Sequence, residues 1–517
     1  MSLPARIAAQ LRALGGWRRW LAAFALGALS AAAFAPLNFF PGMLLGYAGL
    51  LLLIDGADAS PGPVRSAFAA GWFFFLGQFL IGLHWIGYPF VINPEAHLWM
   101  MPFAVVSMPA GLALFGALFC ALAAYFWQDG PARIFVFAVL LAIAEWLRGH
   151  IFTGFPWNLS AYGWGESLGV LQTASLVGAY GLSFLTILLG ASLAELGSAR
   201  WRMPAAFVLL FALLWGYGAY RIASTPITDV PGVSLRLVQP NIPQREKYDR
   251  ALMLRNWQRL MALSLRPEDK ALGRPTHIIW PEAATGFPVA RAPGALDQIA
   301  LFTARGQTLL TGSDRIERDG EGLRFYNSLY LFGPGGVLPV VYDKFHLVPF
   351  GEYVPFARLL GSLGVTKLTT GGGFSSGPGP RLLAGAGAPP LSVLICYEVI
   401  FPHAVTDPKA QRPGWFVNIT DDSWFGPWAG PRQHLLITRT RAIEEGMAIA
   451  RAANTGISAV IDPLGRLRGA LPLNQSGVVD ARLPAALPQT LYSLFGDLLF
   501  LLLLVTGAFA AFVLARK

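Results

Sequence analysis

The placing of the apolar residues constrains this chain most. A bilayer's hydrocarbon core is crossed by a helix of about 20 mainly apolar residues. Seven stretches of that character precede residue 221, at about 19–36, 40–55, 67–90, 97–127, 132–148, 168–194 and 203–220, and an eighth runs over about 491–514. Charge is distributed to match: 16 of the first 220 residues are Asp, Glu, Lys or Arg, against 52 of the last 297. Gly and Pro occur inside several stretches, where neighbouring helices can satisfy the freed backbone groups. The first stretch does not read as a cleaved leader, since further spans follow at once without a cleavage pattern. This pattern excludes a wholly soluble protein, a disordered one and a small disulfide scaffold. The two cysteines, Cys120 and Cys396, fall in regions of opposite character, so no structural disulfide is expected.

The net charge of +10 comes without any block of five basic residues, which argues against nucleic acid as a partner. Basic residues instead follow the rule that cytoplasmic loops of membrane proteins are positive. With a cytoplasmic N-terminus, Arg6, Arg12, Arg18, Arg19, Arg65, Arg133, Arg200, Arg202, Arg516 and Lys517 lie inside, and Arg148 alone lies in a short outer segment. Three units follow: a seven-span region over 1–221, an outer domain over 222–488, and an eighth span with a short tail over 489–517. Trp85, Tyr88, Phe90, Trp99, Trp157, Tyr162 and Trp164 cluster near the outer loops, where an interfacial aromatic belt is expected. Glu145 and Arg148, three apart at the end of the fifth span, are expected to pair, because ionisable groups near hydrocarbon seldom stand alone.

Residues 222–488 alternate β-branched runs with helical patterns. Strands are predicted at 233–239, 276–280, 308–313, 327–332, 338–344, 391–396, 414–419, 448–453 and 458–462, and helices around 249–266, 294–305 and 431–446. Interleaving of this kind predicts an α/β layered domain. The Gly-rich run at 370–380 lacks the Lys-Ser/Thr pair and the following helix of a phosphate loop, so a surface loop is expected there.

The seven histidines show no ligand spacing and no GxSxG elbow is present, so neither a metal centre nor a serine hydrolase is indicated. Three reactive residues each end a predicted strand beside a Pro- or Gly-bearing loop: Glu282, Lys344 and Cys396. Strand ends of α/β domains converge on one edge, where sites form. Taken singly, Cys396 reads as a small buried hydrophobe, Lys344 as a solvated cation and Glu282 as a turn carboxylate; Cys120, inside a span, reads as core outright. Their joint occurrence is what suggests a Glu–Lys–Cys cluster.

The blocks WPEAA (280–284), DKFHLVPFGEYVPF (343–356), CYEVIFP (396–402) and NITDDSWFG (418–426) resemble the motifs of the nitrilase superfamily. EWLRGHIFTGFPWN (145–158), GPRQH (430–434) and RAANTGISAVIDPLG (451–465) narrow the resemblance to its membrane-embedded branch, the apolipoprotein N-acyltransferase family. The resemblance covers almost the whole chain. It implies eight transmembrane helices and an αββα sandwich, no cofactor and no metal, and a monomer in the bacterial inner membrane with its catalytic domain periplasmic and both termini cytoplasmic. It further implies Glu282 as general base, Lys344 as electrostatic partner and Cys396 as nucleophile, with Glu352, Tyr397 and Glu398 in support. The implied reaction takes a fatty acyl chain from a membrane phospholipid, through a cysteine thioester, to the α-amine of a diacylated prolipoprotein. At Tyr248 the family often has Trp, which leaves a substrate contact there open. The same triad in a tethered amidase acting on a soluble amide is the competing reading. A transporter is disfavoured, because polar residues deep in the spans are scarce.

Overall fold

In lipid a helix satisfies its own backbone, and the apolar stretches accordingly fold as helices. The computed structural model describes residues 2–58, 62–320, 322–336, 339–355 and 373–516. Leu338, Phe356, residues 370–372 of the Gly-rich run and Lys517 lie outside them. Among the described residues seven helices are long and apolar enough to cross a membrane: Phe40–Ala57, Pro63–Gly82, Pro94–Tyr125, Ala132–Thr153, Ala174–Glu195, Arg202–Ser224 and Leu498–Ala515. The first predicted span is realised as the helix Gly16–Ala31. Its 16 residues extend about 24 Å at 1.5 Å per residue, short of a full hydrocarbon core. It packs tightly all the same: a Cβ on Gly27 would lie 1.8 Å from the Phe74 carbonyl oxygen, and one on Gly77 2.3 Å from that of Phe24. Small residues at such contacts let membrane helices approach closely.

Charge marks one end of the bundle. Asp55 accepts from Arg12 Nε at 3.1 Å and from Arg133 Nε at 2.8 Å, and Arg133 also meets Glu195 at 2.7 Å. The opposite end carries the α/β domain, and there two expectations need correction. Glu145 and Arg148 are buried and act on each other electrostatically, but no direct ion pair joins them, and the 151–160 loop supplies hydrogen bonds to both. Glu145 accepts from the Ser160 hydroxyl at 2.6 Å, while Arg148 Nη1 donates to the carbonyls of Phe155 at 2.6 Å and Trp157 at 2.7 Å. The aromatic belt is also largely absent. Trp85, Phe90, Trp157, Tyr162 and Trp164 are buried, and Tyr88 and Trp99 are exposed. Trp164 is held inside the bundle by Thr186 and Phe211, while Trp85 and Trp157 are claimed by Gln433 of the helix Ala429–Glu445. Its Oε1 accepts from the indoles of Trp157 (2.8 Å) and Trp85 (3.1 Å), and its Nε2 donates to the carbonyls of Ala35 (3.0 Å) and Gly82 (3.2 Å). Through this helix the domain sits directly on Trp85 and Trp157.

The domain comprises β1 (Asp229–Gln239), β2 (His277–Ile279), β3 (Thr308–Asp319), β4 (Gly322–Phe332), β5 (Val340–Asp343), β6 (Leu382–Leu383), β7 (Leu391–Ile395), β8 (Trp415–Thr420), β9 (Ala448–Ala453), β10 (Ser458–Ile461), β11 (Leu467–Leu471) and β12 (Gly477–Pro484). Two six-stranded sheets form, in the orders β12-β1-β2-β3-β4-β5 and β11-β10-β9-β8-β7-β6. Each has three parallel strands, β1–β3 or β7–β9, flanked by antiparallel ones. Strand alternation assigns the faces. Leu237, Ile279, Leu310, Ile395, Val417 and Ala450 fill the space between the sheets. Their neighbours Val238, Ile278 and Leu309 turn outward to the helices Met253–Ser264 and Pro293–Thr303. Leu394, Phe416 and Ile449 turn the other way, onto Ala429–Glu445 and one continuous core with the membrane helices. The layers are therefore helix, sheet, sheet, helix, with the last helix fused to the bundle. Strands β6, β11 and β12 were not anticipated; β12 is held by pairing with β1, more than 200 residues away. Both cysteines are unpaired and buried.

Candidate active site

Glu282, Lys344 and Cys396 leave the sheets at one edge. β5 runs parallel to β2, being two antiparallel steps from β3. Glu282 after β2 and Lys344 after β5 therefore emerge together, facing Cys396 after β7 of the second sheet. The Glu282 loop is pressed onto β3: Ala284 N donates to Gly312 O at 2.9 Å, and Gly312 N to Pro281 O at 3.2 Å. A Cβ at Gly312 would lie 2.6 Å from Glu282 Cα, so glycine is required there for the approach.

Glu282 Oε1 accepts from Asn327 Nδ2 at 2.7 Å and from Lys344 Nζ at 3.2 Å, and its Oε2 from the Asp421 backbone N–H at 2.8 Å. Lys344 Nζ also donates to Glu352 Oε1 at 2.9 Å, and Asn327 Nδ2 reaches the same oxygen at 3.0 Å. The other oxygen of Glu352 takes the Val348 N–H at 2.8 Å, which ties the loop after Lys344 to its own carboxylate. Lys344 is 1% exposed. Burial opposes its charge, but Glu282 and Glu352 together outweigh burial and raise its pKa. The ammonium is permanent at any physiological pH.

Cys396 occupies the turn from β7 into a short 3-10 helix, Cys396–Ile400, with φ at +50°. A side chain in this left-handed region is strained, and such strain collects where a side chain must be aimed. Burial first, and Glu282 second, push the thiol well above its ordinary pKa, while Lys344 and a hydrogen bond with Thr420 act the other way. The sulfur thus rests protonated beside a carboxylate and an ammonium. It needs a base to become a nucleophile, and Glu282 is the charge that acts most on it.

Glu398 builds the turn. Its Oε2 accepts from Ile395 N at 2.7 Å, its Oε1 from Phe345 N at 2.7 Å, and both receive the Tyr342 hydroxyl at 3.1 Å. It thereby links the nucleophile loop to the lysine loop, and burial raises its carboxyl to about 7. Tyr397 points to the bundle and donates to Gly154 O at 2.9 Å; His346 Nε2 lies 2.6 Å from Thr153 O. Tyr248, 47% exposed, lies within the field of Asp314, Asp421 and Glu282.

Several supports were not singled out from the sequence. Asn327 of β4 spaces Glu282 from Glu352. Lys247 reaches Asp421 and, at 3.3 Å, the carbonyl of Glu282. Behind Cys396, Arg451 binds Asp422 at 2.6 Å, and His434 lies between Asp422 (3.0 Å) and the Cys396 carbonyl (3.2 Å). Burial works against the Asp422 carboxylate, yet Arg451 and His434 lower it to about 2. The NITDDSWFG block held a signal for Thr420, Asp421 and Asp422; Lys247 had none.

Comparison with known proteins agrees with this architecture. Residues 26–192 match the family described as the apolipoprotein N-acyltransferase N-terminal domain, and residues 234–491 match carbon-nitrogen hydrolase. Relatives named apolipoprotein N-acyltransferase include one from Bradyrhizobium diazoefficiens, 43% identical over 93% of this chain and 92% of that protein. Another, from Rhodopseudomonas palustris, is 41% identical over 95% of this chain and 94% of its own length.

Proposed function

The chain belongs to the apolipoprotein N-acyltransferase family, and from that premise we propose that Cys396 carries a fatty acyl group from a membrane phospholipid to the N-terminal α-amine of a diacylglyceryl-cysteine lipoprotein. The observation that carries this reading is the buried Glu282–Lys344–Glu352 cluster set against a protonated, strained Cys396. Glu282 takes the thiol proton as sulfur attacks the ester carbonyl. The Lys344 ammonium stabilises the oxyanion of the tetrahedral intermediate, and collapse expels lysophospholipid with a proton returned by Glu282. The acceptor amine then attacks the thioester, Glu282 removes its proton, and the amide leaves as the thiol re-forms. Glu352 and Asn327 hold Lys344 and Glu282 in register, and Glu398 and Tyr397 fix the nucleophile loop against the lysine loop and the bundle.

Both substrates are lipid-anchored, so they reach the site along the bilayer. Exposed apolar side chains at the junction (Tyr88, Phe152, Phe350 and Trp428) support lateral entry. A thioester competes between amine and water, and a site walled by the bundle shelters it. The helix Gly16–Ala31 completes eight crossings, its short length taken up by local bilayer thinning. The Arg-rich end, with both termini, faces the cytoplasm of a bacterial inner membrane, and the α/β domain faces the periplasm.

The test is mass analysis of the purified full chain incubated with phospholipid. An acyl increment should appear on the unsubstituted chain and on Cys120→Ser, and be lost in Cys396→Ser. Adding diacylated lipopeptide should discharge it with one lysophospholipid per amide. An increment surviving in Cys396→Ser, or turnover of a soluble amide without lipid, overturns the assignment.

A further inference from the structure

Three residues outside the catalytic cluster meet where the bundle, the nucleophile loop and the last span come together. His150 closes the helix Ala132–His150, His403 follows the CYEVIFP block, and Asp497 immediately precedes the helix Leu498–Ala515. One ligand atom from each lies within 4.8 Å of the other two. We propose that His150, His403 and Asp497 form a binding site for a divalent transition metal, zinc by the chemistry of its donors, which clips the α/β domain to the bundle.

The surroundings are those of a ligand set. His150 Nδ1 lies 2.7 Å from the Trp146 carbonyl, which takes its proton and leaves the Nε2 lone pair free, 3.9 Å from Asp497 Oδ2. An outer hydrogen bond that fixes the imidazole tautomer in this way is a regular partner of metal-bound histidine. The carboxylate is oriented too: Asp497 Oδ2 accepts from the Trp146 indole at 3.0 Å and Oδ1 from the Tyr492 hydroxyl at 3.4 Å. The two imidazoles stack with centroids 4.0 Å apart and planes 19° from parallel, with Trp146 stacked on the far side of His150. Chelation requires the exposed His403 ring to turn out of this stack, so that its lone pair converges with that of His150 Nε2.

Two imidazoles and one carboxylate suit zinc, with water as fourth ligand. At Zn–N and Zn–O lengths of about 2.0–2.1 Å, tetrahedral donors stand about 3.3 Å apart, so closing the set takes rotation of the exposed His403 ring together with side-chain shifts of about 1–1.5 Å. The nearby Arg441 guanidinium is neutralised by Glu444 at 2.7 Å, which limits its repulsion of a cation. His403 is exposed and gives the ion a way in. The consequence is mechanical: Cys396 and His403 are seven residues apart on one loop, and the ion would tether that loop to two helices.

The experiment titrates metal-stripped full-length protein, purified in detergent on a histidine-free tag, with Co²⁺ and then Zn²⁺. One Co²⁺ per chain with a tetrahedral visible spectrum, displaced by Zn²⁺, is expected. Affinity should fall at least about tenfold in His403→Asn and in Asp497→Asn, and stay unchanged in His97→Asn. Zn²⁺ should raise the Tm of the unsubstituted chain and leave that of His403→Asn unmoved. Exposed His403 can be replaced without opening the core, so loss of binding there is not loss of fold. No Co²⁺ bound above the His403→Asn level, or full binding retained in that variant, overturns the proposal.

Discussion

Replacing Lys344 by methionine separates a chemical role for that side chain from a structural one. The substitution keeps the length of the stem and removes one charge from a cluster in which Lys344 is 1% exposed and the side chains of Glu282 and Glu352 are 8% and 13% exposed. The two carboxylates then share Asn327 with no cation between them. Removing one partner of a buried ion pair costs about 3–5 kcal/mol, which for a domain of this size lowers Tm by about 10 °C. The penalty depends on pH with a definite sign. One carboxylate of the variant escapes by binding a proton, so its folded pKa rises above the unfolded value of about 4.3. The folded variant then holds that proton more tightly than the unfolded chain, and the penalty is absent at low pH and grows as pH rises through the folded pKa. The native ammonium, whose pKa is raised by its two carboxylates, contributes its full stability below the unfolded lysine value of about 10.4. Its contribution is flat between pH 5 and 8 on that ground. The Tm gap between native and Lys344→Met protein should therefore widen from pH 5 to pH 8, read by thermal unfolding in detergent. Acyl-enzyme formation should fall by about 10²–10³, the loss typical of one oxyanion donor. Adding Glu352→Gln should recover much of the stability and none of the acylation. A pH-independent gap, or acylation that returns with stability in the double variant, would refute the reasoning.

Gly312→Ala would place a methyl 2.5 Å from Pro281 O and 2.6 Å from Glu282 Cα; displacing the base by about 1 Å should lower acylation about 10²-fold in a protein that still folds, and a native rate would show the contact to be unimportant. Gln433→Leu strips partners from two indole N–H groups and two carbonyls at the junction, at about 1–3 kcal/mol for each left unsatisfied. A lowered Tm with altered tryptophan fluorescence is expected, and an unchanged Tm contradicts the docking role. Glu398, raised to about 7 by burial, binds its proton more tightly when folded than when unfolded. Its contribution to stability therefore declines as pH rises from about 4.3 to about 7 and is level above; Glu398→Gln should remove that slope from Tm measured between pH 5 and 8, and an identical slope would assign it to other groups.

Where the physics is local, the sequence was enough. Runs such as LLFLLLLVTGAFAAFVLA can only be helices in lipid, and the short, near-continuous apolar runs of β7 and β8 marked strands buried on both faces. Glu282, Lys344 and Cys396 could be picked out because each ends such a strand, which puts chemistry on an edge before any contact is known. Long-range partnership was not legible. The two residues of β6 and the exposed edge β11 are too weak in pattern to stand alone, and β12 exists through its pairing with β1. Trp85 and Trp157 read as an interfacial belt because the GPRQH block marks Gln433, some 300 residues on, without showing that its amide claims both indoles. Glu145 and Arg148 read as a direct pair because they stand three apart on one helix, yet the returning loop supplies their hydrogen-bond partners. Asn327 between two carboxylates, the left-handed turn at Cys396, and the meeting of His150, His403 and Asp497 likewise belong to the folded chain. Periodicity and propensity act over one or two turns and can be read along the chain; the placing of a polar atom depends on which distant backbone arrives beside it, and packing alone decides that.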